Sequence, residues 1–482
     1  MKLNRFYFYS LVLVFLPLVA KAQVVLRALD AYTGLDVTLG NGKKRIASIY
    51  DADYFPYNIN PRSEALWQRD IAADGIPESL VIDHQGKITT TGFRVGIPVT
   101  VQGNGILPAY STDITIPATY TEDGNSRVLR FSWGPQICTP DTTHIFATIR
   151  SLDGDLLIKK LDMNMGFGAD VEGLLMGAFS YPDRYAGAFS TSNTQYKLYA
   201  VTGIPDRCLG KTTSACVGYG ANVREHDFVY TPLIGPDGRV WLGNNLGAEY
   251  AKYGSAWFDP TRQAGDLDYT NTTTAVPLSN PTADQIKKDW RAYGSLFQWQ
   301  RKPDGHELIN WTSSISGTPK YTSTSALSNS WTSPNTNLWI NGQSSGENSW
   351  VNSEINNIHP IYGMIDSWGV NGSNNPCPIG YTVPSFSYLN YLHISITGAW
   401  AWRNVHNSPA MWNEMNLRFP ASGYRKWDYG VITAPSIVAT AWSGDTSNYP
   451  QYTLILFMYE SQSAMPEYAK RASGVGVRCL KD

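Results

Sequence analysis

Five cysteines in a chain that begins like an exported protein constrain this 482-residue sequence more than any other feature. Lys2 and Arg5 give a positive start, Leu11 to Val19 an apolar run broken by Pro17, and Ala20-Lys21-Ala22 a small-x-small cleavage pattern. Residues 1–22 therefore read as a signal peptide with a mature start at Gln23. The apolar run is too short to span a bilayer as a helix. In an oxidising compartment cysteines pair. Cys208 and Cys216 are close enough to staple a local loop. Cys377 and Cys479 would close a loop of about a hundred residues, worth roughly 4–5 kcal/mol on chain-entropy grounds. Cys138 is then the odd thiol. The spacing also leaves open a swap in which Cys138 pairs with Cys208 or Cys216.

The balance of residues narrows the class. A net charge of -2 gives no electrostatic case for nucleic acid or an anionic membrane surface. Charged residues are 16% of the chain, while Gly, Tyr and Trp are abundant, which suits a β-rich, loop-rich exported protein better than a helical cytosolic enzyme. From residue 23 to about 215 the chain reads as short strands. Phe93 to Val101, Asp113 to Pro117, Val128 to Trp133 and Thr143 to Ile149 alternate apolar and polar residues, and Asp123-Gly124-Asn125 and Asp153-Gly154-Asp155 mark turns. That spacing predicts a mainly β N-terminal half, one or two Ig-like β-sandwich modules.

Composition then shifts. Only Trp67 and Trp133 precede Cys216, and the other fourteen of the 16 Trp lie from Trp241 onward. A boundary is expected between Pro205 and Arg224, with a second region over residues 225–482. Within it, Asp289 to Trp299 suggests a short helix, Ser385 can cap another that carries Phe386, Leu389 and Leu392 on one face, and Tyr452 to Met458 and Gly474 to Leu480 read as the final strands.

Four pieces of this second region resemble one family in their order and spacing. They are Arg239-Val-Trp-Leu with Asn244-Asn245-Leu246; Tyr293-Gly-Ser-Leu-Phe-Gln-Trp299 with Asp304-Gly305; Cys377-Pro378 with Gly380-Tyr381 and Val383-Pro384; and Phe419-Pro420 with Gly423-Tyr424-Arg425 through Arg478-Cys479. Together they resemble the Fibrobacter succinogenes major paralogous domain family over about half the chain. The resemblance implies an α+β, loop-rich C-type-lectin-like fold, similar to that of formylglycine-generating enzymes, with Cys377 and Cys479 as its structural bridge. Two departures stand out. Tyr388 and its neighbours occupy helix positions where the family often has an acidic residue and a Trp, and Gln300 follows Trp299 where Gly is common.

No chemistry-bearing set emerges. Formylglycine-generating enzymes use a reactive Cys pair, whereas cysteines in a bridge cannot be thiolate nucleophiles. The seven His (His84, His144, His226, His306, His359, His393, His406) show no close helical pair of the zinc type. Asp428 and Asp445 could pair as acid and base in a cleft, but loop carboxylates are usually solvated. The Pro-containing tripeptides of calcium-dependent lectins are missing, and Trp412-Asn413-Glu414 is a rough echo in the wrong place. No metal or cofactor is expected, a structural calcium held by loop oxygens apart. The remaining candidates are aromatic: Trp402, Trp412, Trp427 and Tyr429, with Asp428, in the loop-rich stretch, and Trp427-Asp428-Tyr429-Gly430 is the best exposed tip.

These readings imply a non-catalytic recognition protein, exported to the cell surface or beyond, with a glycan or surface protein as partner. The alternative is a structural or tip subunit of a surface assembly, joined to its neighbours by strand addition.

Overall fold

Alternating side chains become strands wherever the sequence marks them most clearly. The computed structural model describes residues 34–51, 80–163, 171–270, 281–342, 348–352, 368–369, 372–398, 406–407, 409–447, 452–460 and 462–482. It is mainly β, with 41% strand and 10% helix. The expected signal peptide and Trp402 lie outside the described residues.

The chain forms two compact units that do not follow chain order. Among the described residues, the first draws on 34–44, 88–156 and 176–198, and the second on 45–51, 80–87, 157–163, 171–175 and those from 199 onward. In the first unit β1 (Asp36–Leu39), β2 (Phe93–Gln102), β3 (Tyr110–Ile116), β4 (Arg127–Trp133), β5 (His144–Ser151) and β6 (Arg184–Ala186) form a six-stranded sheet. The strand order is β6-β1-β2-β5-β4-β3, and every pairing with a recorded register is antiparallel. The inward positions of β5 are Ile145, Ala147 and Ile149, the period of two that the sequence shows. Phe131 is the hub of this core: its ring lies 5.2 Å from Phe179, 5.4 Å from Tyr181 and 5.4 Å from Tyr196.

The second unit takes in more of the N-terminal half than the sequence division at residues 215–225 suggests. The strand Ile49–Asp51 pairs with Leu161–Asp162 in parallel and with Ile82–His84 antiparallel. Ala47, Ile49, Ile82 and Met163 share one buried cluster with Val201, Leu209, Val229, Phe258 and Ile379. The apolar faces of these early strands are thus covered by residues far along the chain, which local patterning does not reveal.

The rest of the second unit is built mostly from short elements, among them β7 (Pro232–Ile234), β8 (Val240–Leu242), β9 (Phe297–Gln298), β10 (Tyr381–Thr382), the twelve-residue helix α1 (Phe386–Thr397), β11 (Tyr424–Arg425), β12 (Ile432–Thr433), β13 (Val438–Thr446), β14 (Tyr452–Tyr459), β15 (Gln462–Lys470), β16 (Gly474–Val475) and β17 (Leu480–Lys481). They make the sheets β7-β8-β17-β10 and β9-β16-β11-β12, and a third in which His406–Asn407 precedes β15-β14-β13. Where a helix was expected over Asp289 to Trp299 there is a 3-10 turn, Trp290–Ala292, followed by β9. Ser385 does cap α1, its side chain accepting from the Tyr388 N–H, and Leu389 and Leu392 are buried beneath it.

Two disulfides staple this unit. Cys208 bonds Cys216, eight residues on, and Cys377 bonds Cys479, 102 residues on, with Cα atoms 5.9 Å apart. The swap is not taken, and Cys138 is a buried free thiol. Around the long bridge Trp299, Trp350, Trp368 and Trp442 are fully buried in one cluster. Such short elements leave many carbonyls without ladder partners, and buried arginines take them up. Arg478 donates to the Leu242, Gly243 and Arg418 carbonyls and to Asn245 Oδ1. Arg425 donates to the Gly430 and His306 carbonyls while its guanidinium lies 4.1 Å from the Trp339 ring centre. Burial pushes both guanidinium groups down to about 9.

Candidate recognition surface

The expected tip at Trp427-Asp428-Tyr429 is the turn of the β11–β12 hairpin. Lys426 N–H donates to the Val431 carbonyl and Gly430 N–H to the Lys426 carbonyl, closing the turn. Gly430 has φ 68, and a Cβ there would meet Trp339 at 2.8 Å, so glycine is required on both counts. The hairpin is anchored from below by Arg425, whose Nε holds the Gly430 carbonyl at 2.7 Å. It is anchored from the side by Gly342, whose N–H donates to the Trp427 carbonyl. Tyr429 is then 64% exposed, and Val431 is exposed beside it. A loop fixed at its base presents these side chains at little ordering cost on binding.

Trp427 is half-buried against the Trp-rich core, and the Lys470 ammonium lies 3.6 Å from its ring centre. Partial burial holds this ammonium below the usual lysine range, and the nearby Asp428 charge acts in the opposite direction. Lys470 extends the site beyond the hairpin. It stands opposite Tyr452 across β14–β15, with Tyr468 two residues back on the same face, and the two tyrosine rings meet edge to face at 6.2 Å. The tip is therefore one end of a strip: Tyr429, Asp428, Trp427, Lys470, Tyr452 and Tyr468.

Trp412 does not belong to it. At 1% exposure it is a core residue, packed with Leu389, Leu392, Met411 and Leu417 and lying under the Lys287 ammonium at 4.8 Å. Its expected role as an exposed platform is corrected accordingly: the helix Ala410–Asn413 turns this side chain inward. The two carboxylates weighed as an acid–base pair each accept a backbone N–H. Asp445 accepts the Phe386 N–H at the start of α1, and Asp428 accepts the Tyr429 N–H.

A second polar centre lies inside the unit. Asp304, His306 and Glu307 bring one donor atom each to within 4.8 Å of one another, all fully buried, the single such group among the described residues. The hydrogen bonds decide against an ion. His306 Nε2 accepts the Gln298 N–H at 2.9 Å, so its proton sits on Nδ1, which donates to Asp304 Oδ1 at 2.7 Å and lies 3.2 Å from Glu307 Oε2. A metal would need the Nδ1 lone pair, and the ring could offer it only by losing the Gln298 bond. The other oxygens are also taken. Arg301 and Tyr219 donate to Asp304 Oδ2, Gly305 N–H to Glu307 Oε2, and His226 Nε2 to Glu307 Oε1 at 2.7 Å. This is an internal network that fixes residues 301–307 against β9. Burial alone would push the His226 imidazole down, but Glu307, Asp206 and Glu225 raise it to about 9.

Comparison with protein-family models, with curated proteins and with solved structures finds no match to this chain.

Proposed function

We propose that this is an exported, non-catalytic recognition protein that binds a glycan or a surface protein, for example in adhesion. In this reading residues 23–215 carry the Ig-like β-sandwich part and residues 225–482 a C-type-lectin-like domain. One observation carries it: the anchored strip of Trp427, Lys470, Tyr452, Tyr468 and Tyr429, an aromatic surface with a cation at its centre. Tyr, Trp and a cation on rigid elements are the composition of binding hot spots. The absence of chemistry is supported by the Cys377–Cys479 bond, which leaves neither sulfur as a thiolate. No helix among the described residues is long and apolar enough to cross a membrane.

Glycan and surface-protein arrays probed with the mature chain test the proposal. We expect a defined ligand class, and Trp427→Ala should weaken its capture by at least roughly tenfold, the scale of a hot-spot truncation. Silence of a folded protein across broad arrays would count against recognition.

The structural-subunit reading keeps one observation of its own. Strand β3 ends the six-stranded sheet and pairs on one side only among the described residues. An open edge of seven residues can accept a strand from a neighbour. Crosslinking on cells should then trap a defined partner, whereas a freely shed monomer would exclude it.

A further inference from the structure

A second surface stands on different residues. The turn Gly235-Pro236-Asp237-Gly238 between β7 and β8 is closed by Gly235 N–H to the Arg239 carbonyl. Asp237 is buried there and accepts the Arg239 N–H and the Trp241 indole N–H. Arg239 leaves this rigid turn and lays its guanidinium on α1, 4.9 Å from the Tyr388 ring centre and 5.4 Å from that of Tyr391. Those tyrosines are three residues apart on one helical face and are 39% and 50% exposed.

The polar heads are what make this a site. Asp237 Oδ2 is 3.6 Å from the Arg239 guanidinium, beyond hydrogen-bond reach. Among the described residues neither that guanidinium nor the two phenol hydroxyls has a hydrogen bond, so a fork of N–H donors over two exposed rings and two O–H groups is left to a ligand. A guanidinium whose face is stacked still offers its edge, the geometry that grips a carboxylate with two parallel bonds. The shelf suits the C–H face of a pyranose. A protein partner fits less well, because a standard interface buries about 800 Å² per side around an apolar core. Here the outward neighbours on α1 are the small polar Ser387 and Ser395, and Ile234 is the one large aliphatic exposed on β7.

We infer that Arg239, Tyr388 and Tyr391 bind an acidic sugar residue of the uronate type, with Arg239 on the carboxylate and the tyrosines under the ring. Calorimetric titration of the mature chain with a glucuronate-containing tetrasaccharide tests this, beside the same oligosaccharide with its carboxylates reduced to alcohols. We expect saturable binding of the acid form and at least about tenfold weaker binding of the reduced form, the contrast expected when a bidentate charge pair is lost. Arg239→Gln should abolish the preference, and Arg239→Lys should restore only part of it. Tyr391→Ala, at an exposed position, should weaken binding without lowering Tm. It keeps the test valid if Arg239 variants fold poorly. Trp427→Ala should leave this titration unchanged, which separates it from the hairpin strip. Three outcomes would overturn the assignment: no saturable binding by folded wild type, equal binding of the reduced sugar, or displacement by a glutamate-rich peptide as effective as by the uronate. The last would make the patch a protein-docking surface.

Discussion

Single positions show where this chain accepts strain to hold its core. Gln300 has φ 63, in the left-handed region where L side chains are disfavoured. Its side chain donates to the Gly444 carbonyl at 2.8 Å, and its own carbonyl accepts Asn374. The sequence flags the site, because a residue with a side chain stands where the resembled family commonly has Gly. Glycine adopts this conformation without that cost. Gln300→Gly and Gln300→Ala lose the same side-chain hydrogen bond, but only glycine relieves the backbone. Chemical denaturation should find the glycine variant more stable by about 1 kcal/mol, and equal stabilities would refute the strain. Trp412 teaches the opposite lesson. A Trp between Asn and Met in a loop-rich stretch looks free to stack on a ligand, yet its burial is set by α1 and β13, partners that no local pattern names.

At the level of elements, legibility followed alternation. β2, β4 and β5 could be read residue by residue because one face of each is apolar. β15 was missed, and with it Lys470 and Tyr468. Its sequence, QSAMPEYAK, carries Pro466, which cannot donate to a ladder. The strand survives because the β14–β15 register shifts between Ile455 and Phe457, a bulge beside the proline. The exposed tip of the aromatic strip was thus visible in the sequence, while its extension depended on a strand that propensity hides. The two disulfides differ in what they constrain. Closing 102 residues removes more unfolded-state freedom than closing eight. Replacing Cys377 and Cys479 together with Ala should cost about 4–5 kcal/mol, against about 2–3 kcal/mol for the Cys208–Cys216 pair. Urea titrations of the two double variants check the order, and a larger loss from the short loop would contradict it.

Across the whole molecule, buried charge should set the pH at which the fold is tightest. Burial pushes the Asp206 and Asp289 carboxyls up to about 6, so the stability tied to their protonation is present in acid and is lost as pH rises through 6. His226, raised to about 9, contributes fully below about 6.5 and loses that contribution as pH climbs through 9. Burial opposes ionisation of Glu307 as well, but its hydrogen bonds with His226 and His306 and the His226 charge outweigh this and hold it well below the usual range. Its contribution is therefore present above about 4.3 and fades in stronger acid. Tm should peak near about pH 5 and fall toward pH 9. His226→Gln should flatten the limb above about 6.5, and a wild-type Tm unchanged from pH 6.5 to 9 would rule this account out.

The two-unit arrangement was the least legible feature at this scale. Ala47 and Ile49 lie in two short strands, but nothing in their sequence specifies Val201, Val229 or Phe258 as the neighbours that bury them.

The place of β17 has a practical consequence. This strand lies between β8 and β10, so both of its neighbours are synthesised before the strand that joins them, β8 by more than two hundred residues. Closing so large a loop is entropically slow, and contacts of this span form late. A newly made chain must therefore keep β8 and β10 apart and open to other partners until Leu480 and Lys481 arrive. Trimming a handful of residues from this end should then do more harm than trimming the same number from an exposed turn. Protease resistance of a chain cut before Val477 should fall to that of an unfinished fold.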